Sequence, residues 1–118
     1  MYFRGKEEEL VNLLFEIGIK RNVAKVLVFL AKTPMVSSRA IVRGTDLRQH
    51  EVAIVIQYLK KRGWIKNQEN KVKSKGRPVK IYELAKPITE IMNGIEKEKV
   101  KEANDQLQII QRLRNYIS

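Results

Sequence analysis

Residues 37–65 hold the pattern that decides the fold, and they read SSRAIVRGTDLRQHEVAIVIQYLKKRGWI. The pattern predicts a short helix that begins at Ser37 or Ser38, because serine is a good N-cap residue. A tight turn follows at residues 44–46, where glycine and aspartate tolerate a positive φ. Residues 48–62 then form a longer helix with one apolar face, made of Val52, Val55, Ile56 and Leu59. The stretch is therefore a pair of helices joined by a tight turn.

Two further helices precede this pair. In the first, apolar residues follow the i, i+3, i+4, i+7 spacing of one helical face: Leu10, Leu13, Leu14 and Ile17. The second runs from about Asn22 to Lys32, because Pro34 disfavours helical geometry in the residue before it.

A β-hairpin is predicted after the long helix, which ends at Gly63. Segments 64–67 and 79–84 are rich in β-branched and aromatic residues, which is typical of strands. Within them, Trp64 and Tyr82 are expected to anchor the hairpin in the core rather than to stack on bases. Residues 68–78 form a long polar tip between the strands.

The last helix is predicted to begin at Pro87 and to run to about Tyr116. Its apolar phase shifts near Gly94, so the helix is either continuous or kinked there. Farther along, steps of three and four residues predict a coiled-coil seam. The predicted dimer interface consists of Ile95, Val100, Ala103, Leu107, Ile110, Leu113 and Ile117. The alternative is that this stripe packs back on its own domain.

The positive charge is concentrated in the middle of the chain. The net charge is +11 overall, with +5 in residues 19–57 and +8 in residues 58–86. By contrast, residues 1–18 carry −2 and residues 87–118 are neutral. A thermophile-like surface rich in lysine and glutamate would not explain this difference. A localised basic surface predicts a polyanionic partner, which is either nucleic acid or an anionic membrane.

The composition argues against several classes of protein. The chain has 118 residues, no cysteine and one histidine, His50, so neither a disulfide framework nor a metal site is expected. The sequence shows no paired carboxylates, no nucleophile–base pair and no phosphate-binding glycine loop, so nothing in it indicates an enzyme. No apolar run approaches the ~18 residues of a membrane span. The expectation is a cytoplasmic, nucleoid-associated protein with no cofactor, no membrane partner and no evident small-molecule effector.

The order of elements resembles that of winged helix-turn-helix proteins. Residues 37–65, the motif Lys75-Gly76-Arg77-Pro78 and the strand Ile81-Tyr82-Glu83-Leu84 look like the ArsR, MarR and TrmB-like transcription regulators of bacteria and archaea. The resemblance covers roughly residues 22–84. It implies a mainly α fold with a small β-hairpin wing (α+β), a DNA-binding domain over residues 1–86 and a helical dimerisation segment over residues 87–118. The metal-sensing branch of the ArsR family does not carry over, because the lone His50 has no partner for a metal site.

The resemblance also implies that residues 48–62 are a reader helix in the major groove of double-stranded DNA. Its outward side is predicted to carry Gln49, His50, Ala53, Ile54 and Gln57. Glutamine can pair with an adenine edge, and Ala53 or Ile54 can touch thymine methyl groups. Alternatively, Ile54 packs on a neighbouring element. Because residues 52–56 are wholly apolar, few side chains are left for base readout.

The wing, residues 68–78, is expected on the minor groove or the backbone. Lys75, Gly76 and Arg77 resemble the core of AT-hook segments, and a narrow minor groove attracts inserted arginine. The alternative is a solvated basic loop in which Lys71, Lys73 and Lys75 contact phosphates. Phosphate contacts are also predicted for basic residues around the turn and the end of the reader helix, namely Arg39, Arg43, Arg48, Lys60 and Lys61.

Three hypotheses follow from these patterns. The leading one is a homodimeric DNA-binding transcription regulator with modest selectivity. The second is an architectural, nucleoid-associated chromatin protein that binds DNA by backbone and groove shape. The third is a winged-helix module that binds other proteins in a larger assembly. DNA affinity and its sequence preference discriminate among them.

Overall fold

Helices account for most of the fold, together with one small sheet. The computed structural model describes the backbone of residues 5–74 and 77–118, and the side chains of residues 5–68 and 79–118. In chain order, the elements of this part are α1 (Gly5–Glu16), α2 (Arg21–Lys32), β1 (Val36–Ser37), α3 (Ser38–Thr45), α4 (Gln49–Lys61), β2 (Ile65–Ser74), β3 (Arg77–Leu84) and α5 (Ile88–Ile117). The chain divides into two units, Met1–Lys86 and Pro87–Ser118. The predicted mainly α architecture with a β-hairpin is confirmed.

The core of the first unit is built around α2. This helix is buried along most of its length, at Val23, Ala24, Val26, Leu27, Val28 and Leu30. Helix α4 contributes the four residues predicted for its apolar face, which are all buried. Trp64 and Tyr82 are also buried, which confirms that they anchor the hairpin in the core. The apolar faces of α2 and α4 thus fix the side of α4 that remains in solvent.

Helix α1 buries a different face from the predicted one. Val11 and Leu14 are buried, whereas Leu10, Leu13 and Ile17 are about half exposed. The i, i+3, i+4 spacing correctly predicted a helix, but α1 packs along α2 through the neighbouring face. An apolar face of α1 therefore stays exposed in the single chain.

Helix α3 begins as predicted but ends later. The Ser37 hydroxyl accepts a hydrogen bond from the backbone N–H of Ala40 at 3.2 Å, so Ser37 is the N-cap. The predicted turn at residues 44–46 is reduced to Asp46, because Gly44 and Thr45 belong to α3. Asp46 has a φ of 61°, in the left-handed region. The buried Thr45 hydroxyl donates to the Ile41 carbonyl at 2.7 Å, which closes the last turn of α3.

Gly44 is required by packing rather than by backbone conformation. A Cβ atom added to it would lie 2.0 Å from Cε1 of Phe29 on α2. Ordinary carbon–carbon contacts are about 3.5–4.0 Å. The absence of a side chain at Gly44 therefore lets α3 approach α2 closely.

The sheet has three antiparallel strands in the order β1-β3-β2. Strand β1 was not predicted; it pairs Val36 with Tyr82 and so ties the start of α3 to the hairpin. Strands β2 and β3 are longer than predicted, with pairing from Ile65–Leu84 out to Ser74–Arg77. Residues 68–74 and 77–78 of the predicted tip therefore belong to strands β2 and β3. A register shift interrupts the pairing between residues 70 and 74.

Helix α5 is continuous over 30 residues, so it is not broken near Gly94. Six of the seven predicted interface residues are exposed: Val100, Ala103, Leu107, Ile110, Leu113 and Ile117. Ile95 differs, since only 2% of it is exposed, and it does not belong to the exposed stripe. None of the helices in the described part of the chain has the length and apolar character to cross a membrane.

Candidate nucleic-acid interface

One side of helix α4 is exposed to solvent and carries both polar and apolar side chains. The predicted outward residues are all exposed: Gln49, His50, Ala53, Ile54 and Gln57. Ile54 is 67% exposed, so it does not pack on a neighbouring element. This outward orientation confirms the helical phase that the sequence predicted. Contact of these side chains with DNA stays a prediction.

The start of α4 is held by the acidic half of a capping box. The Arg48 backbone N–H donates to Oε1 of Glu51 at 2.9 Å, which occupies a donor left free at the helix end. This hydrogen bond is the largest cause of a lowered pKa for the Glu51 carboxyl, and desolvation of the carboxyl opposes it. The acidic half of the capping box therefore stabilises the first turn of α4.

A groove of about 710 Å³ lies beside the N-terminus of α4, and we refer to it as the α3 groove. Its lining residues are Ser37, Ser38, Arg39, Val42, Arg43, Gln49 and Val79. Arg39 and Arg43 are one helical turn apart on α3, so their exposed side chains share a face. Among the side chains that the structure describes, no carboxylate lines the α3 groove, and its two guanidinium groups can bind phosphate oxygens bidentately. The α3 groove is thus suited to an anion.

The basic residues around the ends of α4 have different surroundings. Arg48 and Lys61 are exposed. Lys60 is half-buried. Its Nζ lies 5.5 Å from the centre of the Tyr82 ring, so its ammonium group makes a cation–π contact with the hairpin. The sequence did not single out Arg62, whose guanidinium carbon lies 4.1 Å from the centre of the Trp64 ring. Lys61 is therefore the better placed of the two predicted lysines for a phosphate.

The wing residues predicted to contact DNA lie outside the described side chains. They are Lys71, Lys73, Lys75, Gly76 and Arg77. The backbone does place Lys71 and Lys73 on β2 and Arg77 at the start of β3. Their role in the minor groove or on phosphates stays a prediction.

The sequence analysis did not assign three lining residues of the α3 groove, Ser37, Ser38 and Val79, to the candidate site. Ser37 and Ser38 were predicted only as N-caps, and Val79 only as a strand residue. Strand β1 pairs with β3, and this pairing brings the hairpin beside α3. The only sequence signal was the β-branched Val36 before the two serines, which is too short a segment to indicate a strand. Among the residues that the structure describes, no cluster of three His, Asp or Glu side chains could hold a metal ion.

Comparison with known proteins gives structural matches only. No protein-family model and no curated protein matches the sequence. A "possible transcriptional regulator" from Methanosarcina mazei Go1 is 18% identical, with a TM-score of 0.65 over 94% of this chain and 88% of that one. TrmBL2, described as an archaeal chromatin protein, is 14% identical, with a TM-score of 0.73 over 94% of this chain and 40% of its own.

The multiple antibiotic resistance repressor MarR also matches, at 14% identity and a TM-score of 0.58 over 86% of this chain and 72% of that chain. Identities this low indicate a common fold and carry no residue roles with them. They agree with the helix order, the capped α3–α4 pair and the hairpin described above. The chain therefore has the winged helix-turn-helix fold.

Proposed function

We propose that this chain of winged helix-turn-helix fold is a DNA-binding transcription regulator. In this proposal, α4 enters the major groove and the β2–β3 hairpin lies on the minor groove or the backbone. The α3 groove carries the proposal, because two exposed arginines, Arg39 and Arg43, flank the N-terminus of α4 with no carboxylate among the lining residues. Phosphate contacts from these arginines would set the position of α4 on the duplex.

The dimensions of α4 support this placement. Its 13 residues span about 20 Å at 1.5 Å per residue. An α-helix with its side chains is about 10–12 Å in diameter, close to the ~12 Å width of the major groove of B-DNA. Gln49 and Gln57 are the outward side chains that can read an adenine edge. Ala53 and Ile54 can contact thymine methyl groups.

The exposed stripe of α5 supports a homodimer. Its apolar side chains extend from Val100 to Ile117 in the single chain, and coiled-coil pairing would remove them from water. Two copies would present two reader helices to half-sites on successive turns of the duplex. The net charge of residues 87–118 is zero, which suits a pairing helix better than a DNA contact. The proposal includes a location with the cell's DNA in the cytoplasm.

The first test is fluorescence anisotropy of the purified protein with labelled duplexes over a salt series. Affinity should fall steeply with salt, because phosphate binding releases counterions. Replacing both arginines, Arg39→Ala with Arg43→Ala, should reduce the magnitude of the slope of log K against log salt by about 1.8 per protomer, at about 0.9 per phosphate contact, or about 3.6 for the proposed dimer. A matched control, Lys97→Ala with Arg112→Ala, removes two exposed charges from α5 and should leave the slope unchanged. No binding of the wild-type protein to any duplex at low salt would contradict the proposal and favour a protein-binding module.

The wing has a test of its own. Affinities for an AT-rich and a GC-rich duplex of equal length are compared for the wild type and for Arg77→Ala. If arginine enters a narrow minor groove, the wild type should prefer the AT-rich duplex and the variant should lose most of that preference. An equal loss on both duplexes would assign Arg77 to the phosphates instead.

A second candidate function is an architectural chromatin protein that binds DNA by shape. The observation that favours it is the exposed apolar pair Ala53 and Ile54 in the middle of the outward side of α4, which leaves few donors and acceptors for base edges. The similarity in fold to TrmBL2 supports the same alternative. Selection of preferred sites from a random duplex library separates the two functions. A regulator should enrich a palindromic site, whereas an architectural protein should enrich only base composition.

A further inference from the structure

A second groove lies on the opposite flank of α4 from the α3 groove. It has a volume of about 620 Å³, and we refer to it as the α2 groove. One wall is the connection from α1 to α2 with the first residues of α2, including Lys20 and Arg21. The other wall is α4, through His50, Ile54 and Tyr58. The two grooves therefore use different sides of the same helix.

The helical phase shows how these sides are related. At 3.6 residues per turn, successive residues are about 100° apart around the axis. Measured from Gln49 in the α3 groove, Ile54 lies about 140° and Tyr58 about 180° around α4. The outward residues Ala53 and Gln57, at about 40° and 80°, lie between these two flanks. The α2 groove and the α3 groove thus border the exposed side of α4 from opposite directions.

A helix in the major groove meets a phosphate backbone on each flank. The groove is about 12 Å wide, and a helix with its side chains nearly fills it. One DNA strand therefore forms the wall beside the α3 groove, and the other strand forms the wall beside Tyr58. Exposed cations on the second flank would meet phosphates of the second strand.

Lys20 and Arg21 are the exposed cations of the α2 groove. The Arg21 guanidinium is held in place, because its Nη1 donates to Oδ1 of Asn12 at 2.9 Å and its central carbon lies 4.5 Å from the centre of the Phe15 ring. A guanidinium has five N–H donors, so others remain for a phosphate. Gly18, with a φ of 101°, makes the turn that places both cations beside α4.

The acidic residue of this groove does not cancel the two cations. Glu51 lines the groove, and its carboxylate accepts a hydrogen bond from the Arg48 backbone N–H. This donor satisfies part of its hydrogen-bonding capacity within the protein. With Lys20 and Arg21 at +2 and Glu51 at −1, the lining of the groove has a net charge of +1.

We propose that Lys20 and Arg21 form a second phosphate-binding site, which contacts the DNA strand opposite to the one bound by Arg39 and Arg43. This inference rests on the proposed DNA-binding function and adds a site to it. The α4 helix is then clamped in the major groove from both walls. The position of α4 along the duplex is then set by four basic side chains, which lie on α2, on α3 and in the connection before α2.

The test combines a salt series with strand-specific interference. In fluorescence anisotropy, Lys20→Ala with Arg21→Ala should reduce the magnitude of the slope of log K against log salt by about 1.8 per protomer, or about 3.6 for the proposed dimer. Near 0.1 M salt, this corresponds to a loss of affinity of about 60-fold per half-site. Phosphate ethylation interference on a singly end-labelled duplex should lose signals on one strand of each half-site with this variant. The variant Arg39→Ala with Arg43→Ala should lose signals on the other strand.

The controls separate this inference from the proposed function. The variant Lys97→Ala with Arg112→Ala matches the change in charge and should keep the wild-type slope and interference pattern. Because Arg21 also contacts Asn12 and Phe15, Lys20→Ala alone is tested as well, and it should reduce the magnitude of the slope by about 0.9 per protomer. An unchanged slope in both α2-groove variants, with a reduced slope for the arginine pair of the α3 groove, would overturn this inference alone. Loss of the same strand's signals in both pairs would also overturn it, whereas absence of wild-type binding would overturn the proposed function itself.

Discussion

Replacement of Gly44 by alanine tests the packing that sets the angle between α2 and α3. In the native chain, Gly44 lies in the last turn of α3 and is buried against the Phe29 ring. An added Cβ would lie 2.0, 2.5 and 2.7 Å from three carbons of that ring. Since ordinary contacts are about 3.5–4.0 Å, either the ring or α3 must move by about 1.5 Å. We expect Gly44→Ala to destabilise the fold.

The magnitude follows from two opposing contributions. Overpacking of a core contact costs about 1–3 kcal/mol. Alanine in place of glycine inside a helix returns about 0.5–1 kcal/mol. The net loss should be about 1–2 kcal/mol, which corresponds to a fall in Tm of about 4–8 °C for a domain of this size. The partly buried Phe29 ring can relieve the clash only by giving up its own packing.

Thermal and urea unfolding, followed by circular dichroism, measure this loss. Gly94→Ala in α5 is the matched control, because nothing lies within 4 Å of its added Cβ, and it should stabilise the protein by about 0.5–1 kcal/mol. In a Phe29→Ala background, Gly44→Ala should no longer destabilise, with a coupling energy of about 2 kcal/mol. Equal shifts in the free energy of unfolding for Gly44→Ala and Gly94→Ala, or a coupling energy of zero with Phe29, would contradict the packing role of Gly44.

Three further predictions concern the turn, the α4 cap and the α5 stripe. Thr45→Val removes the hydroxyl that donates to the Ile41 carbonyl and should cost about 1–3 kcal/mol in urea unfolding, whereas the exposed Thr89→Val should stay within about 0.5 kcal/mol of the wild type. The lowered pKa of Glu51 means that its carboxylate stabilises the fold above its unfolded-state pKa, and that this contribution disappears as the pH falls through the lower folded-state pKa. Glu51→Gln should therefore flatten the acid limb of a plot of Tm against pH, and an unchanged limb would contradict the capping role. Leu107→Gln with Ile110→Gln should raise the dissociation constant of the dimer at least tenfold in sedimentation equilibrium. A variant with the same sedimenting mass as the wild-type protein would assign the stripe to another partner.

The elements predicted correctly from sequence were those with strong local signals. The apolar face of α4 extends over about two helical turns, from Val52 to Leu59, and all four of its predicted core residues are buried. Pro34 and Gly63 lie just beyond α2 and α4, where such residues end helices. Because the buried face of α4 follows directly from the 3.6-residue period, its exposed face was predictable too. This is why the outward residues of the candidate site agree with the structure.

The parts that were missed depend on partners distant in sequence. Strand β1 has two residues and exists only because β3 pairs with it. Strand β2 extends beyond its predicted end through polar residues such as Gln68 and Glu69, whose pairing across the hairpin does not require an apolar pattern. Gly44 looked like a turn residue, yet its role is set by Phe29 on another helix. Local propensity carries no information about such contacts.

Charge counted along the sequence does not show where the charged residues lie in the fold, which explains why the α2 groove was not predicted. Counting charge by segment identified a basic middle of the chain, but it placed Lys20 and Arg21 in the same block as Arg39 and Arg43. Packing separates them, because α2 and α3 lie against different flanks of α4, and each flank receives one pair of cations. In a complex with DNA, the two pairs would then meet phosphates of different strands rather than add to one patch. Affinity depends on how many cations there are, whereas the position of α4 in the major groove depends on their division between its two flanks.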